Sequence, residues 1–157
     1  MKTILVIDSK DDIRSFISMA LSNFGFVISQ AHDGETALHL IAEDAPDLII
    51  CDVSLPGMDG YEILSAVRAS SATAAVPFIL MTGLVSANGF RRAMIAGADD
   101  YLVKPFSPDD LVDSVMSRLV RHVDIQVEAD KRARKNVERA TRRVVADFAE
   151  AAFAAPA

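Results

Sequence analysis

Over residues 1–105, short apolar runs alternate with segments whose apolar residues recur at helical spacing. Five runs read as strands: Thr3–Ile7, Phe26–Ala31, Leu48–Asp52, Pro77–Met81 and Tyr101–Lys104. The first, third and fourth are almost wholly apolar, as expected of parallel strands covered on both faces. Ile13, Phe16, Ile17, Ala20 and Leu21 fall on one helical face, with Gly25 as a helix stop. Ala37, Leu38, Leu40 and Ile41 form a second face, and Ile63, Leu64, Ala66 and Val67 a third. Phe90, Met94 and Ile95 form a fourth, closed by Gly97. Ser107-Pro108-Asp109-Asp110 reads as an N-cap, a proline at the first helical position and acids in the first turn. Leu111, Val112, Val115, Met116 and Leu119 then give the fifth helix. Five such units predict an α/β fold: a five-stranded parallel sheet with right-handed crossovers and helices on both faces. Spacing alone leaves the strand order open.

The pattern changes after about residue 120. From Leu111 to Ala155 there is neither glycine nor proline, and Val137, Ala140, Val144, Phe148 and Ala151 recur at spacings of three and four. That describes a long amphipathic helix. Asp130 and Asp147 interrupt a strict heptad along it, so a coiled coil is only weakly written. Val123-Asp124-Ile125-Gln126-Val127 alternates like a strand and leaves open a break between the fifth helix and a separate C-terminal one. The expected division is therefore 1–120 for the α/β domain and 121–157 for a helical extension.

Composition narrows the classes. With 51% apolar and 24% charged residues, a packed core is expected and global disorder is not. The charge is uneven: residues 1–120 carry 8 basic and 16 acidic side chains, residues 121–157 carry 8 and 6. An acidic main body argues against nonspecific nucleic-acid binding by that body. The basic run Lys131-Arg132-Ala133-Arg134-Lys135, with Arg139, Arg142 and Arg143, reads first as a solvated helix face. The single cysteine, Cys51, excludes an internal disulfide and fits a reducing, cytoplasmic setting; on a buried strand it reads as core. Asp8 interrupts the first apolar run too early for a signal peptide, and no run is long enough to span a membrane. His32, His39 and His122 have no ligand spacing, so no zinc site is implied.

The chemistry lies at the strand tips. Asp8 follows the first strand, Asp52 ends the third, Thr82 follows the fourth and Lys104 ends the fifth. In a parallel sheet these tips open on one edge, where α/β folds place their ligands. Each alone has an ordinary reading, as a turn former or a solvated charge. Together, two carboxylates, a hydroxyl and an ammonium form a set able to receive a phosphoryl group.

These residues carry a resemblance. VID at 6–8, DVSLPGMDGYEIL at 52–64, MTG at 81–83 and GADDYLVKPFSPDDL at 97–111 resemble the response-regulator receiver domain of two-component signalling, over about residues 2–120. The resemblance implies a flavodoxin-like sheet in the order 2-1-3-4-5. It implies that Asp52 is the phosphoacceptor, taking a phosphoryl group from a sensor histidine kinase or phosphotransfer protein as an aspartyl phosphate. Asp8, Asp52 and the Ser54 backbone carbonyl would hold Mg²⁺. Thr82 and Lys104 would bind the phosphoryl group, Tyr101 would change rotamer with the switch, and Pro105 would follow a cis bond. Such a protein is a phosphoacceptor rather than a conventional enzyme, though it can catalyse its own phosphoryl transfer and dephosphorylation.

One position departs from the family. Where a second metal-binding acid is usual, the chain has Ser9. A serine removes one negative charge and weakens the hold on Mg²⁺, which favours hard anionic oxygens. Asp11 and Asp12 lie near, but acids in a first helical turn complement the helix dipole, and Ser9 could be an N-cap.

The switch is expected on the face formed by the fourth helix, fifth strand and fifth helix, roughly residues 86–120. The output is open. The chain is either a stand-alone receiver whose extension mediates homodimerisation or partner binding, or a receiver fragment whose extension leads to an output domain not contained in it. A degenerate receiver acting as a phosphorylation-independent interaction module is a third reading, supported by Ser9. The roughly 37 residues after 120 carry one helical pattern and no helix-turn-helix signature, so no DNA-binding domain is expected there.

Overall fold

Five strands and five helices alternate strictly along the chain in a computed structural model that describes residues 1–84 and 86–152. Residues 153–157, the end of the expected 121–157 extension, lie outside the described residues. The elements are β1 (Thr3–Ile7), α1 (Asp11–Ser22), β2 (Val27–Ala31), α2 (Gly34–Glu43), β3 (Leu48–Asp52), α3 (Gly60–Ala69), β4 (Phe78–Thr82), α4 (Ala87–Ala96), β5 (Asp100–Val103) and α5 (Pro108–Ala152). The strands form one parallel sheet in the order β2-β1-β3-β4-β5. Two compact units divide the chain, residues 1–119 and 120–157.

The central strands β1, β3 and β4 are apolar on both faces, with polar residues only at their ends, Thr3, Asp52 and Thr82. Leu5, Ile7, Ile49, Cys51, Phe78 and Leu80 point to one side, against Ala37 and Ile41 of α2, Ile63, Leu64 and Val67 of α3, and Ala93 of α4. Ile4, Val6, Leu48, Ile50, Ile79 and Met81 point to the other, against Ile17 and Leu21 of α1 and Leu111, Val115 and Leu119 of α5. Side chains capping the helices fix where several of them begin. Asp33 accepts from the Thr36 N–H (2.8 Å), Asp59 from Glu62 (2.9 Å), Ser86 from Gly89 (2.9 Å) and Ser107 from Asp110 (3.0 Å). Each such cap contributes about 1 kcal/mol. Gly97 ends α4 at φ +95°, a left-handed conformation that L side chains rarely adopt.

Several local expectations are corrected. Ser9 is not an N-cap: α1 starts at Asp11 from an extended Lys10 with no side-chain cap. The fourth strand runs Phe78–Thr82 and the fifth Asp100–Val103, so Thr82 closes its strand and Lys104 follows one. Pro77 has no N–H to give the ladder, and Pro105 stops β5 from running on. In α4 the core-facing residues are Ala93 and Met94, whereas Phe90 and Ile95 are exposed. In α3, Ala66 is exposed rather than packed. At Val123–Val127, where the sequence left both a break and a continuous helix open, the helix is continuous: α5 runs from Pro108 to Ala152. Without glycine or proline nothing stops helix propagation there.

Candidate functional site

Parallel strands place all their C-terminal ends on one edge, and the order β2-β1-β3 makes β1 and β3 neighbours from which the chain departs in opposite directions. That is the switch point at which α/β sheets open a ligand crevice. β1 delivers Asp8 to it and β3 delivers Asp52. Asp8 is fully buried and Asp52 nearly so. β4 brings Thr82 to the same edge, in register with Val103 one residue before Lys104.

Lys104 ties these groups together. Its Nζ donates to Asp8 Oδ2 at 2.7 Å and lies 3.4 Å from Asp52 Oδ2. Its backbone N–H donates to the Thr82 carbonyl at 2.7 Å. The Lys104–Pro105 peptide is cis. The Asp8 carboxylate also accepts from the Lys10 N–H at 2.9 Å, which shapes the β1–α1 loop. Burial raises the Asp52 pKa above its ordinary value; the Lys104 charge opposes this, the Asp8 carboxylate adds to it, and the Ser54 N–H opposes it. Asp52 is thus a carboxylate short of solvent, beside a second carboxylate and under one ammonium.

The hydroxyl and the aromatic are arranged beside this pair. Thr82 Oγ1 accepts from the Leu84 N–H at 3.1 Å. Val53, Tyr61, Thr82, Gly89, Arg92 and Tyr101 line a cavity of about 280 Å³ between the β3 and β4 tips and α4. The Tyr101 ring meets Phe90 edge-on, with centroids 6.3 Å apart.

The donor set bears on Mg²⁺. Asp8, Asp52 and the Ser54 carbonyl offer hard oxygens of the kind Mg²⁺ uses, and one or two carboxylates suffice where a phosphate completes the shell. The charge at the site is low. Among the described residues no three His, Cys, Asp or Glu side chains come together to hold a metal. Asp11 is exposed and paired with Arg14, and Asp12 accepts from the Ile13 N–H at 2.9 Å. The residues therefore fit the ion in type, with Ser9 adding no charge.

Three residues that sequence reading did not single out support the site. Gly60, the first residue of α3, packs so close that a Cβ there would come 2.4 Å from the Asp52 carbonyl oxygen. At Gly89 a Cβ would meet the Tyr101 hydroxyl at 2.6 Å. The Arg14 guanidinium donates to the Asp8 carbonyl at 2.6 Å and, through Nε, to Gln30 Oε1 at 3.2 Å, fastening the β1–α1 loop. Gly60 stands inside the quoted DVSLPGMDG segment, a signal that was available; Arg14 and Gly89 carried none.

Residues 4–116 match the family model for the response regulator receiver domain. The chain belongs to that family. It is 39% identical over 119 residues to the transcriptional regulatory protein HprR of Escherichia coli K12, covering 76% of this chain and 52% of that protein. It is 35% identical over 125 residues to the DNA-binding response regulator MtrA of Mycolicibacterium smegmatis, covering 80% and 54%. Among solved structures, a putative response regulator from Chloroflexus aurantiacus superposes with a TM-score of 0.73 at 36% identity, covering 76% of this chain and 98% of that one. The chemotaxis response regulator CheY4 of Vibrio cholerae gives 0.72 at 32%, covering 75% and 98%. The chain spans about half the length of the curated relatives it matches. Receiver domains are signalling domains rather than turnover enzymes, they generally bind Mg²⁺, and those of response regulators partner with histidine kinases. No described helix is long and apolar enough to cross a membrane.

Proposed function

We propose that this chain is a two-component response regulator that accepts a phosphoryl group on Asp52 and passes the change to its α4-β5-α5 face. The observation that carries the reading is the Lys104 ammonium lying between Asp8 and Asp52, with Thr82 on the neighbouring strand tip. In the transfer, an Asp52 carboxylate oxygen forms a bond to phosphorus as the phosphorus–nitrogen bond of a kinase phosphohistidine breaks. Lys104 and the Thr82 hydroxyl then have phosphoryl oxygens to bond. The Thr82 hydroxyl, which donates to the Leu84 carbonyl at 3.4 Å, turns to a phosphoryl oxygen, a stronger acceptor, and draws the β4–α4 loop inward. Tyr101 follows as the space beside Thr82 changes. Asp8, Asp52 and the Ser54 carbonyl would hold Mg²⁺, which when bound offsets the negative charge gathered on the carboxylates and phosphoryl oxygens.

The reading divides the chain into a receiver, 1–120, and an extension, 121–157, that acts as a dimerisation helix or as the linker to an output domain. It places the protein in the cytoplasm, where a histidine kinase or phosphotransfer protein reaches it. Incubation with acetyl phosphate and Mg²⁺ tests the core claim. Intact-mass analysis is expected to show one phosphoryl adduct on the full chain and none on Asp52→Asn. An adduct that survives Asp52→Asn defeats the assignment of the acceptor.

One observation favours a second reading. Lys104 already neutralises part of the site, and among the described residues no third acid joins Asp8 and Asp52. A receiver that works as an interaction module without phosphorylation would show no adduct under any Mg²⁺ concentration, yet bind its partner unchanged.

A further inference from the structure

The helix from Val120 to Ala151 carries an exposed seam that the receiver fold does not use. Val120, Val123, Val127, Val137, Val144 and Phe148 are 43–67% exposed up to Val144 and 74% exposed at Phe148. They fall at alternating spacings of three and four, and two charged residues and one threonine fill the gaps in the same register. The full seam reads Val120, Val123, Val127, Asp130, Arg134, Val137, Thr141, Val144, Phe148, Ala151. Every step is three or four residues, which is the heptad seam of a two-stranded coiled coil. Asp147 lies beside this seam rather than in it, and Ile125 and Val145 also stay outside.

The eight seam positions from Val120 to Val144 are their own complement when reversed about Arg132. Val120 is matched with Val144, Val123 with Thr141, Val127 with Val137, and Asp130 with Arg134. A two-fold contact needs that property: if residue i meets residue j, then j meets i. A parallel in-register pair would instead stack Asp130 on Asp130 and Arg134 on Arg134, two like-charge layers in succession. Like charges forced together at an interface cost several kcal/mol, and opposite charges fix the register. The neighbouring charges do not oppose the reversed arrangement strongly, since Lys131 pairs with Glu128 (3.0 Å) and Arg142 with Glu138 (2.7 Å) within the helix. Asp130 and Arg134 form no ion pair among the described residues, although they stand one turn apart.

We propose that the occupant of this seam is a second copy of the same chain, bound antiparallel, with Asp130 of each copy paired to the partner's Arg134 at the centre. The inference rests on the reading of the extension as a dimerisation helix and adds its orientation and its specificity-determining pair.

Single-cysteine cross-linking of the full chain on a Cys51→Ala background decides it. Chains with Val127→Cys and with Val137→Cys are mixed, allowed to exchange, and oxidised. The expected product is the mixed disulfide, far in excess of either like-with-like product. Like-with-like disulfides alone overturn the orientation while leaving a helix dimer. Light scattering supplies the second arm. Asp130→Arg is expected to weaken dimerisation on the order of a hundredfold, and the exchange Asp130→Arg with Arg134→Asp to restore it. A wild-type chain that stays monomeric defeats the dimerisation helix itself, and a dimer indifferent to Asp130→Arg defeats this interface. None of these outcomes bears on phosphorylation of Asp52, which is read separately by mass.

Discussion

At Asp52, burial and the Asp8 charge raise the carboxyl pKa, and Lys104 holds it down only in part. The sign of the consequence follows from linkage. A carboxyl whose folded pKa lies above its ordinary value of 3.8 costs stability once the pH exceeds that value, because the unfolded chain releases the proton more readily. The cost is absent below the unfolded pKa and complete above the folded one. Asp52→Asn cannot ionise, so its melting temperature is expected to exceed that of the wild type near neutral pH by a few degrees. The gap should shrink on acidification toward about pH 3. Thermal unfolding at both pH values checks this; a variant less stable at neutral pH would contradict the account of Asp52 as a strained carboxylate. Ser9 supplies a second test at the same scale. Ser9→Asp restores an acid beside Asp8, and about 1.4 kcal/mol of added attraction corresponds to roughly tenfold tighter Mg²⁺ binding. Calorimetric titration of both proteins measures it, and equal affinities would mean that position 9 does not face the metal.

Among the elements, the α3–β4 and α4–β5 junctions are held by one side chain. Arg68, at the end of α3, donates to the Gly97 carbonyl (3.0 Å), the Val76 carbonyl (2.6 Å) and Asp99 Oδ2 (2.9 Å). One guanidinium thus holds the entrance of β4 and the turn after α4. Arg68→Ala is expected to destabilise the protein by about 2–3 kcal/mol, read as a lower denaturation midpoint with little change in slope. Gly89→Ala is different in kind. Its methyl group would displace the Tyr101 hydroxyl and the Ser86 cap, so it should shift the fluorescence of the switch face more than it shifts stability. The sheet and four of its strand-tip groups were legible because apolar runs and the polar residues ending them are local features. What was not legible depends on elements far apart in the chain. The Lys104–Asp8 bond joins residues 96 apart, and spacing alone left the strand order that creates it open. The apolar face of α4 was misread because Phe90 packs on Tyr101 rather than into the core, while the small Ala93 faces the sheet. Ala66 failed for the same reason: helical period fixes which residues share a face, not where the covered arc ends.

For the whole molecule, the decisive fact is where burial stops. Among the described residues, every buried apolar side chain lies at or before Leu119, and so does every buried polar one. The described helix from Val120 to Ala152 therefore has no buried side chain of its own to offset its cost of ordering. A monomeric helix of that length with an exposed valine seam gains little stability by itself, so its apolar face is best stabilised by association. A chain ended after Leu119 should consequently fold, keep its melting temperature within a few degrees, and still take a phosphoryl group on Asp52. It should also become monomeric at concentrations where the full chain is a dimer. Circular dichroism, acetyl-phosphate labelling and light scattering on the two lengths measure these outcomes in parallel. If the shortened chain unfolded, residues 120–152 would have to pack on the receiver. If it stayed a dimer, the contact would belong to the α4-β5-α5 face, where Ile95, Val103 and Met116 are exposed.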